Sequence, residues 1–260
     1  MKRHDTIWQT TTTTNTYLAD VRGAIPLAHE QIDVMLRLIR AARGDEGATA
    51  VLDLGCGNGI LGQAVIDQYP NAQALFIDFS APMLAAAKQR LAKYERASFL
   101  QVDYGDKNWR LEIGEWAMDT MQSPIPNQPI SNRFDIIVSG FSIHHQPDER
   151  KREIYQEIFE LLRPGGIFLN LEHVQSATPW IEAQHDELFI DHMHVYQQEQ
   201  GGTLTRTAVS TDYHARSDKI ANILAPVEIQ CNWLREIGFA HVDIFLKIFE
   251  LALFGGLKPK

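Results

Sequence analysis

The chain has 260 residues, 45% of them hydrophobic and 22% charged, which is near the upper end for one domain and ordinary for a soluble globular protein. A formal net charge of -9 argues against broad electrostatic attraction to nucleic acid or to an anionic membrane. Two widely separated cysteines, Cys56 and Cys231, give no disulfide framework, the start MKRHDTIWQT lacks a signal-peptide apolar core, and no apolar run approaches the ~18 residues of a membrane span, so a cytoplasmic protein is expected.

Residues 1–24 are polar and Thr-rich, with Trp8, Tyr17 and Leu18 as isolated apolar points, and are expected to form a lid that orders on a ligand. Ile32, Met35, Leu36 and Ile39 recur at helical spacing and read as a core-facing stripe. The stretch VLDLGCGNG, Val51 to Gly59, then joins a strand with aliphatic residues for both faces to a glycine loop. A dinucleotide fingerprint needs a third glycine at position 60, where Ile60 stands. Asp53, two residues before Gly55, puts a carboxylate at the loop's mouth, which suits a cationic ligand better than a diphosphate.

A second strand, AQALFID, ends at Asp78 and leads into the helix-like SAPMLAAAKQRLAKY; a third, ASFLQVD, ends at Asp103. The fourth, Phe134 to Gly140, precedes a helix from about Asp148, and the turn Arg163-Pro164-Gly165-Gly166 opens a fifth strand ending at Glu172 and His173. The C-terminal stretch from Pro226 reads as a helix, a Gly-Phe turn and two strands with almost no loop between them. Strands alternating with helices imply right-handed crossovers, a parallel sheet and a site at the strands' carboxyl ends. Two insertions interrupt this core: residues 104–133, with Trp109, Trp116 and SPIPNQP, and residues 173–224, with a His-rich helical stretch, the better candidate for a substrate cap.

Val51 to Gly59, Asp78, Asp103 and the Arg-Pro-Gly-Gly turn, in register over roughly residues 48 to 175, resemble the class I S-adenosylmethionine (SAM) dependent methyltransferases. The nearest likeness is to small-molecule methyltransferases related to carboxy-SAM synthase, carried by Arg22, Ile25 and Pro26 before the first helix and by Arg216 before the last. The resemblance implies one domain over 1–260, an α/β, Rossmann-like seven-stranded mostly parallel sheet with a C-terminal antiparallel hairpin, helices on both faces and a cap insertion. It also implies SAM as cofactor, with S-adenosylhomocysteine (SAH) as product. Asp78 would grip the ribose hydroxyls, Asp103 would meet the adenine amino group, and Phe79, Met83 and Tyr104 would flank the ring. Asp53, Gly55, Cys56, Gly57 and Gly59 would form the cofactor loop, Ser139 would close it from the fourth strand, and Arg22 would receive the methionyl carboxylate.

Methyl transfer from a sulfonium is an in-line displacement, so the protein must align the acceptor, exclude water and, for a hydroxyl or ammonium, supply a base. His144 and His145, in GFSIHHQPDE after the fourth strand, are the base candidates, with His145 slightly preferred, and Glu172 is a candidate substrate contact. His185 and His192, seven apart, would share a helix face, but that spacing is not a metal-site pattern and no metal is expected. Ser139-Gly140-Phe141-Ser142 stands where amino-directed nucleic-acid methyltransferases carry Asn-Pro-Pro-Tyr, which favours a small-molecule acceptor over a nucleic-acid base. A carboxy-SAM synthase-like transferase linked to tRNA modification and a non-catalytic SAM-binding module are the alternatives. A homodimer is compatible with the chain, and oligomeric state stays open.

Overall fold

The structure, a computed structural model, describes residues 4–44, 50–114 and 131–260. Its centre is a seven-stranded sheet made of β1 (Ala50–Leu54), β2 (Gln73–Asp78), β3 (Ala97–Gln101), β4 (Phe134–Gly140), β5 (Leu162–His173), β6 (Ala240–Ile248) and β7 (Leu251–Leu257), in the order β3-β2-β1-β4-β5-β7-β6. The first five are parallel, and β7 runs antiparallel between β5 and β6. This is the mostly parallel sheet with a C-terminal antiparallel hairpin that the strand pattern implies. The chain steps outward from β1 to β2 and β3 and then returns to β4 on β1's other side. Strand order therefore reverses at β1, and a crevice opens beyond the carboxyl ends of β1 and β4.

Every residue of β1 is buried, as expected for a strand covered on both faces. Successive residues divide between two cores. Val51, Phe76, Ile136 and Val138 pack under α1 (Ala28–Arg43), α2 (Ile60–Gln68) and α3 (Ala81–Arg90), through Met35, Ile39, Val65 and Leu84. Leu52, Leu54, Leu75 and Ile137 pack under α4 (Asp148–Leu161) and α5 (Val227–Ile237), through Ile154, Tyr155, Ile158 and Leu234. A third apolar cluster joins Val21 and Ile25 of the N-terminal segment to Phe189 and Ile190 of α6 (Pro179–Glu199), Val209 and Tyr213 of α7 (Arg206–Ala215), and Leu251 at the start of β7. The polar N-terminal segment and the 173–224 insertion thus share a small core of their own above the crevice.

Two boundaries differ from the sequence reading. β3 ends at Gln101: the Val102 N–H makes the last ladder bond, to the Asp78 carbonyl (3.1 Å), and the Asp103 side chain then caps a local turn through the Gly105 N–H (2.9 Å). The Arg163-Pro164-Gly165-Gly166 stretch lies inside β5, not before it, since the Gly165 N–H and the Gly166 carbonyl both pair with Lys258 at 2.8 Å. In the 104–133 insertion, Trp116 and SPIPNQP lie outside the described residues, while Trp109 is fully buried and donates its indole N–H to Glu157 (2.6 Å). No helix among the described residues is long and apolar enough to cross a membrane.

Candidate functional site

The crevice holds a cleft of about 970 Å³, its open mouth included. Gly55, Gly57, Asp78, Phe79 and Met83 line one end, and His144, His145, His173, His185, Tyr213 and Arg216 line the other, under a roof of Trp8, Tyr17 and Val21. A smaller pocket behind the glycine turn brings Arg22 and Asp53 together with Asn58 and shares Tyr17, Gly55 and Gly57 with the cleft.

At the end of β2, Asp78 is held from two sides. The Gly57 N–H donates to Oδ2 and the Ser80 N–H to Oδ1, each at 2.8 Å. Burial pushes its carboxyl up to about 6, against the pull of those amides and of the Phe79 N–H. Each oxygen keeps lone pairs free for hydroxyl donors in the cleft. Asp53, at the end of β1, accepts from the Gly62 N–H (2.8 Å), and burial lifts it to about 7. The Arg22 guanidinium has no hydrogen-bond partner among the described residues; burial lowers its pKa, while Tyr17 and Asp53 draw it back up. The Gly55 turn needs glycine, because φ is +66° and a Cβ there would overlap the Ser142 side chain. A Cβ on Gly57 would meet only Met83 Sδ, at 3.9 Å, so the space above that residue is open. Trp8 lines the cleft, and its buried indole N–H has no hydrogen-bond partner among the described residues.

These features fit an adenosine with a methionyl tail. Two fixed carboxylate oxygens face hydroxyl donors, Phe79 and Met83 offer an apolar wall, and a cation and an acid share the pocket where an α-amino acid would lie. Three expected contacts are placed elsewhere. The Ser139 hydroxyl is fully buried and donates to the Leu54 carbonyl (2.8 Å), bracing β4 against β1. Tyr104 is buried under the glycine turn with its hydroxyl 2.5 Å from Ser142 Oγ. Gly59, at φ +79°, starts α2 and does not line the cleft. Cys56 lines the smaller pocket, where burial raises its thiol well above the ordinary range and keeps it protonated.

At the far end, a 3-10 turn, Ile143–His145, follows β4 and presents both histidines to the cleft. His144 Nδ1 lies 2.5 Å from Glu172 Oε1, and the His144 N–H donates to Glu172 Oε2 (3.1 Å). Glu172 is fully buried behind His144 and does not line the cleft. Burial lifts Glu172 to about 7 and lowers His144 well below the usual imidazole range. His145 points Nδ1 at the Ala221 carbonyl (3.1 Å). A carbonyl can only accept, so Nδ1 carries the hydrogen and Nε2 keeps the lone pair. Burial, with His144 beside it, lowers His145 to about 3.

Residues 52–168 match a family model described as a methyltransferase domain. Over that stretch the chain resembles the methyltransferase domains of the class I, SAM-dependent family. The chain is 29% identical over 135 residues to a demethylmenaquinone methyltransferase of Leptospira interrogans, covering 52% of this chain and 47% of that one. It is 26% identical over 213 residues to a carboxy-S-adenosyl-L-methionine synthase of Aeromonas hydrophila, covering 81% and 74% respectively. The chain thus spans about half the length of the first of these relatives. The CurJ carbon methyltransferase structure superposes with a TM-score of 0.60 at 16% identity, over 97% of this chain and 59% of that one, a likeness of fold.

Several residues of the cleft escape a reading by sequence. Ser80 is legible as the residue before an Ala-Pro helix start, but its hydroxyl also donates to the Trp8 carbonyl (2.6 Å) and pins the roof to the core. Tyr213, Lys219 and Asn222 reach the cleft from the insertion, where no local pattern marks them. Glu250 stands in the short turn between the last two strands, but its partner His173 (2.7 Å) lies 77 positions earlier.

Proposed function

We propose that this protein transfers the methyl group of SAM to a small-molecule acceptor held between the glycine turn and the 173–224 insertion. The observation that carries the reading is the Asp78 carboxylate, fixed by the Gly57 and Ser80 amides and facing a cleft whose other end is lined by imidazoles and aromatic rings. The cofactor supplies an electrophilic methyl carbon on a sulfonium. Asp78 accepts from the ribose hydroxyls, Asp53 stands near the methionyl ammonium, and Arg22 pairs with the methionyl carboxylate. Phe79 and Met83 cover the adenine. His145, with Nε2 free, accepts the acceptor's proton, and His144 shapes the same wall. Glu172 acts through His144 as a positioning residue, since it does not line the cleft. Trp8, Tyr17 and Val21 exclude water from above.

The closed roof and the acidic net charge support a small acceptor over a polynucleotide. Asp78→Ala removes two charge-assisted contacts and is expected to weaken SAM binding about 100-fold or more in titration calorimetry; retained affinity overturns the cofactor assignment. SAH formation across a panel of hydroxyl, amine and thiol acceptors then reports the transfer.

A second reading, a carboxy-SAM synthase-like transferase, draws on the 81% of the chain aligned with such a relative. Arg216, which lines the cleft, would hold a carboxylate in that reading, but its guanidinium is already engaged by Asp218 (Nε to Oδ1, 3.1 Å). Mass spectrometry of ligand released from the purified protein separates the two, because the synthase reading requires a SAM derivative heavier by a carboxyl group.

A further inference from the structure

Three side chains from three elements converge at the imidazole end of the cleft. His173 closes β5, Glu250 lies in the turn between β6 and β7, and His185 stands on α6. The antiparallel ladder fixes the first two, because His173 pairs with Leu251 and the Val174 N–H donates to the Glu250 carbonyl (2.8 Å). One ligand atom from each of the three lies within 4.8 Å of the others. Glu250 Oε2 is 2.7 Å from His173 Nε2 and 3.7 Å from His185 Nε2.

The His185 ring is the informative member. It is 2% exposed, its Nδ1 has no hydrogen-bond partner among the described residues, and 3.7 Å is too long for a hydrogen bond from Nε2. A buried imidazole is normally satisfied by protein, water or an ion. Two ligand atoms on one tetrahedral zinc ion, each at about 2.0–2.2 Å, sit roughly 3.3 Å apart, between the two separations seen here. Two imidazole nitrogens and one carboxylate oxygen are a donor set for a divalent first-row transition ion, with further coordination positions left open. His173 and His185 both line the cleft, so those positions face it.

We infer that His173, His185 and Glu250 bind a divalent transition-metal ion, of the zinc class, in the wall of the acceptor end of the cleft. The His185–His192 spacing could not reveal it. His192 is not a member of the cluster, and the other two ligands come from the ends of β5 and β6. The inference stands on this geometry and depends on the proposed transfer reaction only for the description of the wall as an acceptor site.

The test uses tag-free, EDTA-treated and dialysed protein, titrated with Co2+ and followed by its visible d–d absorption, with bound Zn2+ counted by elemental analysis. One equivalent per chain is expected. Glu250→Gln and His185→Asn are each expected to weaken binding about tenfold or more, and His192→Ala to leave it unchanged. Circular dichroism checks that the variants fold, and if His185→Asn fails to, Glu250→Gln carries the comparison. Substoichiometric binding by the parent protein, or parent-like binding by Glu250→Gln, overturns the site. SAH calorimetry on the EDTA-treated parent protein reports the cofactor end separately, so failure of either assignment is read without the other.

Discussion

Asp53 and Asp78 share one chemistry and one constraint. Burial lifts their carboxyls to about 7 and about 6, while ligand donors at the same atoms would favour the ionised forms. Both folded values lie above the unfolded one. In the ligand-free protein, stability therefore falls as pH rises from about 4 towards 7, as the unfolded chain's carboxyls release protons that the folded ones retain. A cofactor bringing an ammonium and ribose hydroxyls reverses that bias and expels the protons. SAM and SAH affinity is therefore expected to rise with pH and to be roughly tenfold weaker at pH 6 than at pH 8. Calorimetry in two buffers of different ionisation enthalpy should record proton release, and Asp53→Asn should flatten most of the profile. An affinity unchanged across that range would mean that neither carboxyl is linked to the ligand. His145, lowered to about 3, adds no inflection near pH 6.5, so a change of kcat between pH 6 and pH 8 at saturating cofactor is expected to trace to Glu172, lifted to about 7, and to vanish in Glu172→Gln.

Among the elements, the joint between roof and core rests on Ser80. Its hydroxyl accepts from the Met83 N–H (3.3 Å), capping α3, and donates to the Trp8 carbonyl (2.6 Å). Ser80→Ala removes the cap and the tie together and should cost about 1–2 kcal/mol of stability. It should also raise KM for SAM more than it lowers kcat, because the roof excludes water without entering the displacement. Urea unfolding and steady-state kinetics on one preparation separate these effects, and an unchanged KM would detach the roof from cofactor binding. Backbone-fixed positions were legible in the sequence. Asp53 and Asp78 sit at strand ends where an aliphatic run meets a turn, and β2 and β4 end at the residues that their patterns imply. Positions decided by side-chain direction were not. Ser139 is the last residue but one of β4 and turns towards β1, and Tyr104 follows β3 but packs under the glycine turn. Long-range pairs such as His173 with Glu250 carry no local signal, because the antiparallel return of β7 creates them.

Over the whole molecule, the cleft is walled by parts that meet chiefly there: the sheet's carboxyl edge, the N-terminal segment and the 173–224 insertion. The last two are joined to each other by Val21, Ile25, Phe189, Val209 and Tyr213, a cluster much smaller than the two cores flanking the sheet. Small clusters open at lower free energy than the global transition, so roof and insertion are the segments whose protection a ligand should change most. At about 100 times its dissociation constant, SAH stabilises the folded state by about 2.7 kcal/mol, which for a chain of this size corresponds to a rise in Tm of about 5–10 °C. Hydrogen exchange should slow with SAH in 5–24 and 179–221 more than in β1 or β4, whose amides already exchange through global unfolding. At one fixed SAH concentration the rise in Tm should be larger at pH 8 than at pH 6, following the Asp53 and Asp78 linkage. A rise independent of pH, with protection gained only around Gly55 to Gly59, would mean that the ligand binds the sheet edge alone and that roof and insertion do not close over it.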